Sequence, residues 1–371
     1  MKKIIAGCIG ALMLGACTSI KQKESMENMY LLVGSYATPE EEGIKVYAWD
    51  NEKGEAIYIS GLKGISNPSY QVVSADGEHV YSVGEDDGLT STVHALSFKK
   101  SKGILNLMNT QFTQGGAPCY VNLSPNGKWA VTANYMGGNI TVVPLEISGC
   151  LNDSVSTFAF TGKGKDEIRQ DQPHLHCVEF TPDGKYLLAN DLGTDKIHVF
   201  SLTSDGQLDK ENTFDVELEP GSGPRHLCFS KDGRFVYLIN ELSGKVNTLL
   251  YNGKSLQLIQ SIEADTIGAR GSADIHLSPD GKFLYASNRL KADGIAIFSV
   301  DTQTGLLTKV GYQLTGVHPR NFIISPDGQY LLVACRDSNL IQIFERDKRT
   351  GLLVDIGKNI ETSKPVCIKF I

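Results

Sequence analysis

Six residues of this 371-residue sequence have types that do chemistry and positions that group them: His174, His176, Arg225, Glu241, Arg289 and Arg320. An imidazole that titrates near neutrality can take a proton from water or from a ligand. A guanidinium can grip a carboxylate or phosphate through two parallel hydrogen bonds. A glutamate between them can hold either group in place. Taken singly, each has a plainer reading: a lone histidine is usually a hydrogen-bonded structural residue, and an Arg–acid pair can be a simple bridge between neighbouring elements. That reading is kept for His226 and His276. What singles out the six is that they converge in a pattern fixed by a repeat.

The repeat is carried by a turn. Ser278-Pro279-Asp280-Gly281 suits a type I turn, with Pro presetting φ at the second position and Gly free to adopt the last. The same turn recurs at Ser74, Ser124, Thr181, Ser230 and Ser325, with successive starts 50, 57, 49, 48 and 47 residues apart. Runs of β-branched and aromatic residues flank each copy, so each unit is a hairpin. A strand-only repeat of this length predicts an all-β β-propeller with one four-stranded blade per repeat.

Six turns nevertheless imply seven blades. Tyr30-Leu31-Leu32-Val33-Gly34-Ser35 copies the second strand of the hairpin with no turn before it. Lys364-Pro365-Val366-Cys367-Ile368-Lys369-Phe370 copies the first strand with no turn after it. The two complete one another, so the last blade is closed by the N- and C-terminal strands, which removes the open edges of the array. Blades begin near Asn67, Ala117, Gln172, Gly221, Gly271, His318 and Lys364.

In such a ring the innermost strands start, and the second strands end, at one mouth of the axial tunnel. Two columns of residues collect there. The first holds Ser69, Cys119, His176, Arg225, Ala273, Arg320 and Val366, with His174, His226, Asp274 and His318 beside it. The second holds Ser35, Gly84, Asn134, Asp191, Asn240, Asn288 and Cys335, followed by Glu85, Tyr135, Glu241, Arg289 and Arg336. Blades one, two and seven supply mostly small or neutral residues, and blades three to six supply the charge. The hairpin of blade four returns Glu241 beside Arg225. As a surface pair the two contribute at most about 1 kcal/mol, so Arg225→Ala is expected to leave the fold within roughly 1 kcal/mol of wild type.

The remaining features bound the class. With 41% hydrophobic and 21% charged residues the composition is that of a soluble globular chain. The net charge of −7, without a basic stripe, gives nucleic-acid binding no support. Eight cysteines show no metal-ligand spacing, and Cys119, Cys177, Cys228 and Cys367 fall on innermost strands as small packing residues. The longest insertion, 161–170, is Gly- and charge-rich and reads as a mobile surface loop near the entrance to blade three.

The N-terminus has its own pattern. A basic Met1-Lys2-Lys3 precedes an apolar run over 4–14, too short to span a bilayer. The run ends in Leu14-Gly15-Ala16-Cys17, which resembles the lipobox of bacterial lipoproteins. Residues 1–16 are then a lipoprotein signal peptide, Cys17 the lipidation site, 17–28 a polar tether and 29–371 the propeller. The membrane is met only through that lipid anchor, on the periplasmic face and first of all at the outer membrane. A chance cysteine in an ordinary secretory leader and a cytoplasmic location are the alternatives.

Gln172-Pro173-His174-Leu175-His176, Gly223-Pro224-Arg225-His226-Leu227, Asn240-Glu241-Leu242, Ser287-Asn288-Arg289 and His318-Pro319-Arg320, together with the Ser-Pro-Asp-Gly turns, resemble the seven-bladed lactonase family of 6-phosphogluconolactonases and carboxymuconate-lactonising enzymes. The resemblance covers residues 29–371. It implies hydrolysis of a sugar-derived lactone, with 6-phospho-D-glucono-1,5-lactone leading, so the expected partner is a small anionic sugar lactone. By position it places His176 or His174, Arg225, Glu241 and Arg289 or Arg320 in the catalytic set. Arg225 and Arg320 would hold an anionic group, a histidine would draw a proton from water with a pH limb near 6–7, and Arg289 would face the oxyanion. His318, Asn240, Asn288, Asp191 and Arg336 complete the expected substrate contacts. No cofactor and no metal are required. Arg336, in Ala334-Cys335-Arg336, departs from the neutral ending usual in the family, and the lipobox departs from a cytoplasmic metabolic enzyme. The rivals are a carboxymuconate cyclase, a lactonase that binds a metal through Asp191, Glu241, Asn288 and a histidine, and a lipid-anchored propeller that binds a glycan or a protein without catalysis.

Overall fold

In the computed structural model, which describes residues 29–203 and 205–371, every Ser-Pro-Asp-Gly copy closes the same way. The amide of Gly281 donates to the Ser278 carbonyl at 2.8 Å, and that of Gly328 to Ser325 at 2.7 Å. The turn hydroxyl then accepts from the amide five residues on, as from Phe283 at 3.0 Å and Tyr330 at 2.9 Å. Gly281 and Gly328 sit at φ 71° and 74°, a left-handed conformation that a side chain would resist.

The strands form seven separate sheets, six of four strands and one of five, and the turns join the first two strands of all but the closing one. Blade four, for example, comprises Pro224–Phe229, Phe235–Asn240, Lys245–Tyr251 and Leu256–Glu263. The closing blade pairs C-terminal Pro365–Phe370 with N-terminal Met29–Ser35, which continues into Ile44–Asp50 and Glu55–Leu62. The seven-blade count and the closure inferred from the two orphan strands are therefore both realised.

Blade-to-blade packing explains the sequence pattern. Second strands such as Phe235–Asn240, Phe283–Asn288 and Tyr330–Cys335 are buried throughout, because neighbouring blades cover both of their faces. That is why they read as continuous apolar runs rather than as alternation. Outermost strands are covered on fewer sides, and leave Ile57, Tyr58 and Leu107 exposed. Phe298, Phe322 and Phe344 are fully buried between blades, each contributing about 1.5–3 kcal/mol. The only helical turn among the described residues is a 3-10 turn at Arg336–Ser338. The signal peptide, the tether and the Cys17 lipidation site lie outside the described residues.

Candidate active site

All residues of the first column except Ser69 reach the tunnel because they sit in bulges. Six innermost strands lose register at their starts: between Pro118 and Tyr120, Leu175 and Cys177, Pro224 and Leu227, Ser272 and Ile275, Pro319 and Asn321, and Pro365 and Cys367. The unpaired residues at these points are Cys119, His176, Arg225 with His226, Ala273 with Asp274, Arg320 and Val366. A bulge bends its strand and re-aims a side chain, and here it turns one or two per blade toward the axis.

A cavity of about 220 Å³ opens at this mouth, lined by Tyr36, Glu85, Cys119, Tyr135, Arg169, His176, Glu241 and Arg320. His176 is buried, with Nδ1 3.6 Å from the Cys119 thiol and its ring edge-on to Tyr135 and His226. Burial, with Arg225, His226 and Arg320 adding to it, pushes the His176 pKa well below the usual imidazole range, so the ring is neutral. Arg320 lies over the Tyr36 ring, 5.5 Å from its centre, and 3.9 Å from Glu85. Tyr36 donates to both Glu85 oxygens, at 3.0 and 3.2 Å. Burial would lower the Arg320 pKa, but Tyr36 and Glu85 outweigh it and keep the guanidinium charged. No nitrogen of Arg320 donates to a closer partner among the described residues.

Behind the cavity, Glu241 gathers three arginines. It accepts from Arg169 Nη2 at 2.7 Å and Arg225 Nε at 2.9 Å, and lies 3.2 Å from Arg289 Nη2. Burial alone would raise its pKa, but Arg289, Arg225 and Arg169 hold it down at about 2. Arg225 is fully buried and also donates to the Ala273 carbonyl and to His226. His226 donates in turn to Asp274 at 2.8 Å, which fixes its tautomer as an acceptor toward Arg225. Arg289 donates to the Gly271 carbonyl at 2.8 Å and reaches His318 at 3.3 Å. Burial lowers the Arg289 pKa to about 9.

These contacts redistribute the expected roles. His176, Glu241 and Arg320 line the cavity. Arg225 and Arg289 do not; their donors are committed to Glu241, carbonyls and histidines, so neither is free to grip a ligand. Nor is Arg225 a surface residue worth about 1 kcal/mol: a buried pair broken on one side costs about 3–5 kcal/mol. His174 is turned away, donating from Nδ1 to the Tyr135 carbonyl at 2.9 Å and stacking on the Tyr135 ring. Asp191 is buried in its own turn, where it accepts from the amides of His174 and Gly193 and from the Thr194 hydroxyl. Asn240 bonds Asn247 and the Lys245 carbonyl, and Asn288 accepts from Ser272. His318 sits behind Arg289, 3.3 Å from Asp337, and Arg336 forms a bidentate pair with Asp337. Asp191, Glu241 and Asn288 therefore do not converge on one metal, and no group of three His, Cys, Asp or Glu side chains suited to a metal ion is present among the described residues.

Two lining residues, Tyr36 and Arg169, escaped the sequence reading, which placed Glu85, Cys119 and Tyr135 at the mouth without giving them a role. Blades one, two and seven are not chemically blank: they contribute Glu85, Cys119 and Tyr36. Tyr36 follows Ser35 just as Glu241 follows Asn240, so extending the second column by one residue in the last blade would have found it. The insertion 161–170 is not a free surface loop. Asp166 accepts from the amides of Ile168 and Arg169, at 3.0 Å each, and pairs with Arg270. Buried Gln170 donates to the Leu192 carbonyl at 2.8 Å and to Asp195 at 2.7 Å. The folded loop delivers Arg169 to the cavity, and no periodicity marks a residue that belongs to no repeat.

Residues 30–370 match the family model described as "Lactonase, 7-bladed beta-propeller". A 6-phosphogluconolactonase from Formosa agariphila is 37% identical over 338 residues, covering 89% of this chain and 96% of that one. A solved structure from Bacteroides fragilis is 54% identical with a TM-score of 0.89, covering 94% of this chain and 99% of its own. The periplasmic gluconolactonase of Pseudomonas aeruginosa is 32% identical with a TM-score of 0.87, covering 92% and 99%.

Proposed function

The chain belongs to the seven-bladed β-propeller lactonase family, and on that premise we propose that it is a carboxylic-ester hydrolase that opens a sugar-derived lactone, 6-phospho-D-glucono-1,5-lactone before others. The observation that carries this reading is a neutral histidine and an uncommitted arginine on one small cavity. His176 takes a proton from water as the oxygen attacks the lactone carbonyl. Arg320 faces the oxyanion that develops there, a role worth about 10²–10³ in rate. Collapse of the tetrahedral intermediate breaks the ring C–O bond, and the proton held by His176 passes to the departing alkoxide. The products are the free hydroxyl and the carboxylic acid, which ionises in water. Glu241, Arg225 and Arg289 position these groups and set the positive field around them. Tyr135 offers a flat ring beside the cavity for the sugar.

The purified mature protein is expected to hydrolyse 6-phosphogluconolactone in a stopped-flow or pH-stat assay that subtracts spontaneous opening, at a rate that a chelator leaves unchanged. Loss of activity on chelation would restore a metal mechanism. No turnover of any lactone in a panel, with carboxymuconate included as a cyclase substrate, would favour a binding propeller.

We propose in addition that the protein is held at a membrane. The basic start, the short apolar run and Leu14-Gly15-Ala16-Cys17 support cleavage before Cys17 and acylation there, with the propeller held on the periplasmic face. The relative from Pseudomonas aeruginosa is also described as periplasmic. Wild-type protein should partition into detergent without its first sixteen residues, and Cys17→Ser should stay uncleaved or soluble. Recovery of wild type from the cytoplasm with Met1 intact would refute the anchor.

A further inference from the structure

We infer that Arg169 and the Tyr135 hydroxyl form an anion subsite at the rim of the cavity, which receives the phosphate of the sugar lactone while Arg320 and His176 face the reacting carbon; this rests on the lactonase reading above. The argument begins with charge. Around the cavity stand the guanidiniums of Arg169, Arg225, Arg289 and Arg320, and the carboxylates of Glu85 and Glu241. The buried Asp274 carboxylate, joined to Arg225 through His226, offsets a third, so one positive charge remains unbalanced at this mouth, an arrangement that favours an anion. Glu241 can neutralise one of the three arginines it touches. Of those three, the Arg225 and Arg289 side chains are 1% and 6% exposed, whereas that of Arg169 is 37% exposed. The surplus is therefore presented to a ligand through Arg169.

Donor geometry points the same way. One nitrogen of Arg169, Nη2, serves both Glu241 and Tyr135, at 2.7 and 3.3 Å. Its Nε and Nη1 have no partner among the described residues. Tyr135 accepts the Arg169 bond on its oxygen, which leaves the phenolic hydrogen free to donate. An arginine edge beside a hydroxyl donor suits a phosphate oxygen pair. The subsite is also held still. Asp166 caps the loop through the amides of Ile168 and Arg169, Arg270 pairs with Asp166, and Tyr135 stacks on His174 with ring centres 4.3 Å apart. Glu241 keeps the guanidinium extended toward the cavity, so little side-chain freedom is lost on binding.

The test compares two lactones that differ only in the phosphate. For Arg169→Ala we expect KM for 6-phosphogluconolactone to rise about 10-fold to 100-fold, as for a lost hydrogen bond between charged groups. KM for unphosphorylated glucono-1,5-lactone should change by less than about 3-fold on the same scale. Arg169→Lys should recover only part of the difference, because a point charge lacks the planar edge. An equal loss on both lactones would show that Arg169 acts only by holding Glu241 and Tyr135, and would overturn the subsite, as would no loss on either. Inorganic phosphate, titrated by calorimetry into wild type and Arg169→Ala, reads the subsite without turnover. Phosphate bound by wild type and lost in the variant supports it; equal binding, or none to wild type, overturns it. If wild type hydrolyses neither lactone, the proposed function fails and the phosphate titration still decides the subsite.

Discussion

Replacing His176 by Ala is expected to lower lactone turnover by about 10²–10⁴-fold, the range for losing a positioned general base, with the propeller still folded. The ring makes one weak polar contact, to the Cys119 thiol at 3.6 Å, so its removal leaves no charged group unpaired. The pH dependence separates this role from a packing role. A general base must be neutral, and activity falls as the pH drops through its folded pKa. Burial, Arg225, His226 and Arg320 all push the His176 pKa down. The acid limb of kcat/KM should therefore lie below the 6–7 of an ordinary histidine, and the enzyme should stay active in mildly acidic buffer. In His176→Ala that limb should disappear. A wild-type limb at 6–7 that survives in the variant would assign it to another group and remove His176 from the mechanism.

Glu241→Gln is expected to destabilise the fold by about 3–5 kcal/mol, as for a buried ion pair deprived of one partner. The amide preserves volume but carries no charge, so Arg225 and Arg289 remain buried beside Arg169 without a counter-ion. The same carboxylate makes stability depend on pH. Its pKa falls from 4.5 to about 2 on folding, a depressed value that corresponds to roughly 3 kcal/mol. That contribution is fully present above about pH 4.5 and is lost as the pH falls toward 2. Denaturant titrations of wild type should show this loss between those limits, and Glu241→Gln should lack it. A variant with unchanged melting temperature and an unchanged acid profile would show that the three arginines find other partners. Activity should fall as well, because Glu241 positions Arg169 and sets the field around His176.

Much of the architecture was legible because its determinants are local. Gly281 and its counterparts require a left-handed backbone, Ser278 and its counterparts cap the turn, and the apolar runs have strand length. The unmatched strands at the two ends then count the blades, since each needs a partner of the other type. The choice of mouth also follows, because strand direction alone brings the start of one strand and the end of the next to the same rim. His176, Glu241 and Arg320, which that reasoning puts on one rim, line one cavity in the structure.

The rest depended on partners far apart in sequence. Arg225 and Arg320 occupy the same position in the repeat and Arg289 follows a second strand, yet Arg225 and Arg289 are spent on Glu241 and on backbone carbonyls while Arg320 faces the cavity. Which guanidinium is left free is decided by competition among neighbours from several blades. Asp191 and Asn240 end equivalent strands to those that carry cavity residues, but their side chains close local turns instead. The bulges that aim Cys119, His176 and Arg320 inward are a property of strand pairing, in which one register step changes the face a side chain occupies. Arg169 lies outside every repeat, and only the folding of its loop against Asp195, Leu192 and Arg270 brings it to the rim. Sequence periodicity thus determined the ring, its closure and the rim where chemistry gathers, because turn geometry and strand pattern are set within a few residues. The tertiary structure alone decided which side chains on that rim are free to act, because hydrogen-bond satisfaction and charge balance are settled between blades.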